Sequence, residues 1–106
     1  MPAFKRISPQ QAQELISTGG QLVDIRDEQS YQMAHIPNSV HLGNHNLQAF
    51  VDSTDPEKAL IVVCYHGNSS QSAAQYFADQ NFSEVYSMDG GFELWRQIYP
   101  DQNEST

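Results

Sequence analysis

The stretch Leu60-Ile61-Val62-Val63-Cys64-Tyr65-His66-Gly67-Asn68-Ser69-Ser70-Gln71-Ser72-Ala73-Ala74-Gln75-Tyr76-Phe77-Ala78 decides the fold. It opens with a short, unbroken apolar run, the pattern of a strand over residues 60–64 at the centre of a parallel sheet. It closes with a helical pattern predicted over residues 70–80. Between them Gly67 permits a tight turn with positive φ, and Asn68, Ser69 and Ser70 favour local side-chain bonding and helix capping. The only cysteine of the chain, Cys64, therefore stands at a strand, loop and helix junction. A sulfur there meets loop N–H groups and the positive end of a helix dipole, which together stabilise a thiolate or an anion attached to it.

The same alternation continues on either side. A first strand over residues 4–7 is followed by Ser8-Pro9, an N-cap with proline in the first helical position. Ala12, Leu15 and Ile16 give the helix over 9–17 one apolar face, and Gly19-Gly20 ends it. A second strand covers 22–25, and Asp27 caps a helix over 28–34 that Ile36-Pro37 terminates. A third strand covers 39–42, a helix runs from Asn44 or Asn46 to about Val51, and residues 52–56 are turn-rich. After the cysteine loop come a strand over 84–88 and a helix over 92–98, introduced by Gly90-Gly91 and closed by Pro100. Residues 101–106 form a polar tail expected to be frayed. The expectation is an α/β fold: one domain over residues 1–100 with a five-stranded, mainly parallel sheet and helices on both faces. Ligands bind such sheets beyond the carboxyl ends of the strands, where Cys64 lies.

A chain of 106 residues has room for one modest core and no second domain. Five basic against thirteen acidic residues give a net charge of −8, which disfavours nucleic acid, polyanions and anionic membrane surfaces. Residues 59–64, the longest apolar stretch, fall far short of the roughly 20 residues that span a bilayer. A lone cysteine makes no internal disulfide and no leader pattern precedes Phe4, so a reducing, cytoplasmic setting is expected. Residues 59–78 contain no Asp, Glu, Lys or Arg. Local amides must then supply the attraction for a small anionic substrate, and its binding should be weak.

Several chemistries can use a thiolate cradled in this way. Attack on phosphorus calls for an arginine at the loop end to grip the phosphoryl oxygens, but Ser69, Ser70, Gln71 and Ser72 stand there. One cysteine with scattered His35, His41, His45 and His66 lacks the ligand spacing of a zinc site, so neither a metal nor a cofactor is expected. A Cys–His pair for acyl transfer needs a histidine opposite the sulfur, and His66 is too near in sequence to be placed there. Asp24 and Arg26 are expected to pair in a buried or half-buried ion pair that fixes the neighbouring loops. His35 is read as a hydrogen-bonded packing residue, Gly90-Gly91 as a backbone turn, and Phe92 and Trp95 as core. His41 and His45 are read as partly exposed polar residues with no partner.

The segments Asp24-Ile25-Arg26, His35-Ile36-Pro37-Asn38-Ser39, Cys64-Tyr65-His66-Gly67-Asn68-Ser69 and Gly90-Gly91-Phe92-Glu93-Leu94-Trp95, in this order and spacing, resemble the rhodanese superfamily. The string Cys-Tyr-His-Gly-Asn-Ser-Ser most resembles the small single-domain thiosulfate sulfurtransferases of the GlpE type. The resemblance implies that Cys64 is catalytic: its thiolate attacks the outer sulfur of thiosulfate, releases sulfite and keeps a persulfide, which cyanide, a dithiol or a thioredoxin-like acceptor discharges. It implies that Tyr65, His66, Gly67, Asn68, Ser69 and Ser70 bind the substrate. A six-residue loop, one shorter than that of the related phosphatases, suits one added sulfur rather than a phosphate. Many members carry a basic residue after the cysteine or at the loop end, where this chain has Tyr65 and Ser69. That departure leaves the Ser69 and Ser70 hydroxyls and a protonated His66 to meet the anion. It also admits a second reading, a sulfur-carrier or interaction module loaded by a partner protein's persulfide.

Overall fold

In a computed structural model that describes residues 3–105, the apolar run becomes a four-residue strand at the centre of the sheet. In chain order the elements are β1 (Lys5–Ile7), α1 (Pro9–Ser17), β2 (Gln21–Asp24), α2 (Glu28–Met33) and β3 (Val40–His41). They continue with α3 (Leu47–Ser53), β4 (Leu60–Val63), α4 (Ser69–Asp79), β5 (Val85–Met88) and α5 (Gly91–Ile98). The strands lie in the order β1-β5-β4-β2-β3 and every pairing is parallel. The expected α/β architecture is therefore the one observed.

All four β4 side chains are buried, and their alternation divides the core. Ile61 and Val63 face one layer, where Ile7, Ala12, Leu22, Ile36, Met88, Phe92 and Trp95 collect under α1 and α5. Leu60 and Val62 face the other, where Val23, Leu42, Ala74, Phe77, Ala78, Phe82 and Val85 collect beside α4. A strand sandwiched in this way has no polar face, which is why its sequence lacks the alternation of a half-exposed strand. Helix α1 begins as its sequence indicates: Ser8 Oγ accepts the Gln11 N–H, Gln11 Oε1 accepts the Ser8 N–H, and Pro9 takes the first helical position. Asp27 caps α2 by accepting from the Ser30 N–H at 3.1 Å.

Boundaries shift by a residue or two where tertiary contacts intervene. Ile25 leaves the strand ladder although its N–H still donates to Val63 O at 2.9 Å. Asn46 precedes α3 without a capping bond of its own side chain, which instead accepts from the Gly43 N–H and donates to His41 O.

The larger departure is the tail. Residues 101–106 were expected to fray, yet Glu104 and His35 exchange two backbone hydrogen bonds of 2.8 Å as an isolated antiparallel bridge. The indole N–H of the buried Trp95 donates to Gln102 O at 3.3 Å. The tail is held because the backbone beyond α2 and the Trp95 indole both need partners that their own neighbours in sequence do not provide. Residues 1, 2 and 106 lie outside the described residues.

Deleting residues 101–106 removes these three bonds and is expected to lower unfolding free energy by about 1–2 kcal/mol. Urea denaturation of the truncated and full-length chains measures the difference; a frayed tail would leave the midpoint unchanged.

Candidate active site

β4 ends at Val63, and the next residue, Cys64, keeps its side chain inside the protein at 3% exposure. The chain then reverses through residues 65–68 to enter α4. Gly67 makes the reversal with φ of +88°, and a Cβ there would stand 2.8 Å from the Gly90 nitrogen. The turn brings two backbone N–H groups onto the sulfur: Gly67 N and Ser70 N both donate to Cys64 Sγ at 3.2 Å. Ser70 Oγ lies 3.3 Å from the same atom.

Ser70 is the second residue of α4, the position whose N–H an N-cap side chain ordinarily accepts. Asn68, the N-cap residue, makes no side-chain capping bond, contrary to the expectation that the polar residues of the loop cap the helix themselves. The Cys64 sulfur takes that place. Burial pushes the Cys64 thiol up, but the Ser70 hydroxyl and the N–H groups of Ser70, Gly67 and His66 outweigh it, and the thiol titrates below the ordinary cysteine value.

Of the loop residues expected to bind substrate, Gly67 and Ser70 touch the sulfur and are buried. The other four, Tyr65, His66, Asn68 and Ser69, have exposed side chains. Tyr65 turns away: its hydroxyl accepts from the Asp27 N–H at 3.2 Å and lies 3.5 Å from Ser30 Oγ, tying the loop to the start of α2. Ser87, on β5, is the residue that sequence reasoning missed. It is fully buried, with its Oγ 2.7 Å from Ser70 Oγ. A serine inside the apolar strand Val85-Tyr86-Ser87-Met88 was the available signal, since a buried hydroxyl requires a partner.

The remaining motifs build the walls. Arg26 donates to both carboxylate oxygens of Asp24 at 2.9–3.1 Å and to Ala34 O at 2.7 Å, and its guanidinium lies 4.2 Å from the Phe92 ring centre. This is the buried ion pair expected from the sequence, and it commits Nε and one terminal nitrogen of Arg26. Gly91, with φ of +60°, lets α5 start directly against the cysteine peptide: a Cβ there would stand 2.5 Å from the carbonyl oxygens of Cys64 and Tyr65. Phe92 N donates to Cys64 O at 2.9 Å and Glu93 N to Tyr65 O at 3.2 Å. The first amides of α5 thus clamp the loop from outside while the sulfur gathers the amides within. His35 packs as expected, stacked on Tyr31 at 3.9 Å with Nδ1 2.7 Å from Tyr31 O. His41 corrects its reading as partnerless: Nε2 lies 2.6 Å from Arg26 O, a contact that only the pairing of β2 with β3 creates. His45 is exposed.

A family profile described as "Rhodanese-like domain" matches residues 8–98. The chain belongs to the rhodanese-like family. Among similar curated proteins, the thiosulfate sulfurtransferase GlpE of Pseudomonas savastanoi pv. phaseolicola is 61% identical over 102 residues, covering 96% of each chain. The protein of the same name from Ectopseudomonas mendocina is 63% identical, covering 96% of this chain and 94% of its own length. In fold, the rhodanese domain resembles a rhodanese-related protein from Thermoplasma volcanium with a TM-score of 0.76 and 22% identity, covering 90% of this chain and 93% of that one. It also resembles the rhodanese-like domain of an Anabaena protein with a TM-score of 0.80 and 17% identity, covering 100% of this chain and 80% of that one. Those two likenesses concern the fold alone.

Gly91→Ala sets a Cβ against backbone atoms that cannot swing aside and adds the strain of positive φ. A loss of about 2 kcal/mol or more in unfolding free energy is expected, together with a displaced Cys64 loop. Thermal melting and Cys64 alkylation rates measure the two effects, and a variant matching the parent in both would refute the clamp.

Proposed function

We propose that this chain is a thiosulfate sulfurtransferase that carries sulfur as a Cys64 persulfide. The observation that carries the reading is the convergence of the Gly67 and Ser70 N–H groups on Cys64 Sγ at 3.2 Å, with the Ser70 hydroxyl beside them. Such a seat favours a charged sulfur over a neutral one and lowers the fraction of thiol that must first lose its proton. The two GlpE relatives described above bear the name of the same activity.

In the first half-reaction the Cys64 thiolate attacks the outer sulfur of thiosulfate. A new S–S bond forms, the bond between the two thiosulfate sulfurs breaks, and sulfite leaves with the electron pair. In the second, cyanide attacks the terminal sulfur and departs as thiocyanate, and Cys64 recovers its thiolate. A dithiol or thioredoxin-like acceptor attacks the same atom. Gly67 and Ser70 hold the nucleophile through their N–H groups, and of the four loop residues with exposed side chains His66, Asn68 and Ser69 are left to meet donor and acceptor, Tyr65 being engaged with Asp27 N. We place the catalytic domain in residues 1–100 and a polar tail in residues 101–106, of which Gln102 and Glu104 bond back onto the domain. A single thiol that must stay reduced favours a cytoplasmic setting. No helix among the described residues is long and apolar enough to cross a membrane.

One observation favours a second reading, a sulfur carrier loaded by a partner protein. Arg26 is consumed by Asp24, Ala34 O and Phe92, and no basic side chain among the described residues hydrogen-bonds the sulfur. Contact at the sulfur is then made by dipoles, which hold a small dianion less firmly than a guanidinium does.

Intact mass after incubation with excess thiosulfate is expected to rise by one sulfur atom, to return to its starting value on addition of cyanide, and to stay fixed in Cys64→Ser. An unmodified parent would overturn the thiosulfate assignment. Steady-state thiocyanate formation separates the two readings, since a pure carrier loads stoichiometrically from a protein persulfide and turns thiosulfate over negligibly.

The loading rate should follow the thiolate fraction. Because the Cys64 pKa is lowered, the limb of the rate profile is expected to be centred below the ordinary cysteine value, with the rate level above that midpoint and falling as pH drops through it. Initial rates of sulfite release across pH check this, and a limb centred at or above the ordinary thiol value would contradict it.

A further inference from the structure

Behind the Ser70 hydroxyl lies a second one, that of Ser87, which the proposed reaction does not itself use. Ser87 sits on β5 between the buried Val85 and Met88 and is itself fully buried. Its Oγ is 2.7 Å from Ser70 Oγ, which is 3.3 Å from Cys64 Sγ, so sulfur, first hydroxyl and second hydroxyl form a short chain leading into the core. Among the described residues, Ser70 is the hydrogen-bond partner of the Ser87 hydroxyl and no other is recorded.

Two arrangements of the protons bear on the thiol. With the thiol protonated, S–H donates to Ser70 Oγ and Ser70 donates to Ser87 Oγ, and the Ser87 proton is left without an acceptor in a buried position. When the thiol gives its proton to solvent, both hydroxyls rotate: Ser87 donates to Ser70, and Ser70 donates to the sulfur anion. Each proton then has an acceptor, and the bond onto the sulfur is charge-assisted. Donating to Ser70 also polarises its O–H, strengthening the bond that Ser70 makes. A buried donor is costly when unmet, so burial of Ser87 favours the second arrangement.

We propose that Ser87 is a positioning residue that acts through Ser70, holding the Ser70 hydroxyl proton on the Cys64 sulfur and biasing Cys64 toward its thiolate. The inference rests on Cys64 being the reacting group of the proposed sulfurtransferase. The charged groups on the surrounding elements do not supply this bias. Asp24 is paired with Arg26, Asp89 beyond β5 with Arg6 at 2.8 Å, and Glu93 of α5 with Arg96 at 3.7 Å. Asp27 is engaged in capping α2. On the loop itself stand Tyr65, bound to Asp27 N, and His66, whose side chain is exposed. The first turn of α4 is uncharged.

The test is titration of the thiolate by its absorbance near 240 nm, taking the difference from the Cys64→Ser chain to remove tyrosine. Ser87→Ala is expected to move the midpoint up by about half a pH unit, the size of one modest hydrogen bond. In a Ser70→Ala background, where the midpoint is already raised, Ser87→Ala is expected to add nothing. Ser87→Thr, which keeps the hydroxyl, should titrate with the parent. An unchanged or lowered midpoint in Ser87→Ala would overturn the proposal, as would an equal shift in both backgrounds or a Thr variant shifted as far as the Ala variant. Titration needs no sulfur donor. A midpoint shift in a protein that never takes up sulfur from thiosulfate would therefore support the role of Ser87 while removing the thiosulfate reading, and sulfur uptake without a shift would do the reverse.

Discussion

On leaving the centre of the sheet at Val63, the chain has only residues 64–68 in which to reverse and begin α4, and the reversal points two amide groups inward with no carbonyl to receive them. The Cys64 sulfur receives both. The helix start, the loop path and the state of the thiol are consequently one problem with one solution. A neutral thiol is a poor acceptor for two amides and a hydroxyl, whereas a thiolate is a good one, so the same hydrogen bonds that satisfy the loop lower the pKa of Cys64. Burial works in the opposite direction, and it is outweighed because the Ser70 hydroxyl and the N–H groups of Ser70, Gly67 and His66 converge on one atom.

That arrangement must be clamped from outside, since five residues of loop between a strand and a helix have little internal packing. α5 provides the clamp through the Phe92 and Glu93 amides on the Cys64 and Tyr65 carbonyls, an approach possible only because Gly91 has no side chain. Arg26 supports both pieces, gripping Asp24 at the end of β2, the carbonyl that follows α2 and the face of Phe92. Arg26 is thus committed to Asp24, Ala34 O and Phe92, and no basic side chain among the described residues hydrogen-bonds the sulfur. The surroundings of the sulfur are polarised by dipoles, which suits the persulfide role proposed for Cys64.

Much of this was legible in the residues. Four consecutive apolar residues ending in cysteine marked a central strand. Ser8-Pro9 and Asp27 marked two helix starts whose capping bonds form as the pattern requires. Gly67 marked the left-handed turn, and the Asp24 and Arg26 pairing followed from two opposite charges at the end of a buried strand. These readings share a local cause: each depends on residues within a few positions of one another. The tail and His41 were misread for the opposite reason, because Glu104 meets His35 and His41 meets Arg26 across distances that no local pattern encodes. The cap of α4 was misassigned because cysteine is not counted among capping side chains, and only the path of the loop brings its sulfur to the Ser70 amide.

The sequence by itself determined the alternation of strands and helices, the placing of the lone thiol at a carboxyl end of the sheet, and the loop string that marks the rhodanese family. It could do so because hydrophobic period, turn chemistry and loop length are properties of neighbouring residues. Only the tertiary structure decided which groups reach the sulfur. Of the seven loop residues from Cys64 to Ser70, the fold turns Tyr65 outward to α2 and the Gly67 and Ser70 amides inward. It also sets Ser87 behind Ser70 from a strand seventeen residues further on. The reason is the parallel sheet itself: β4 and β5 become neighbours only after α4 has crossed between them, and that crossing brings a buried hydroxyl up behind Ser70.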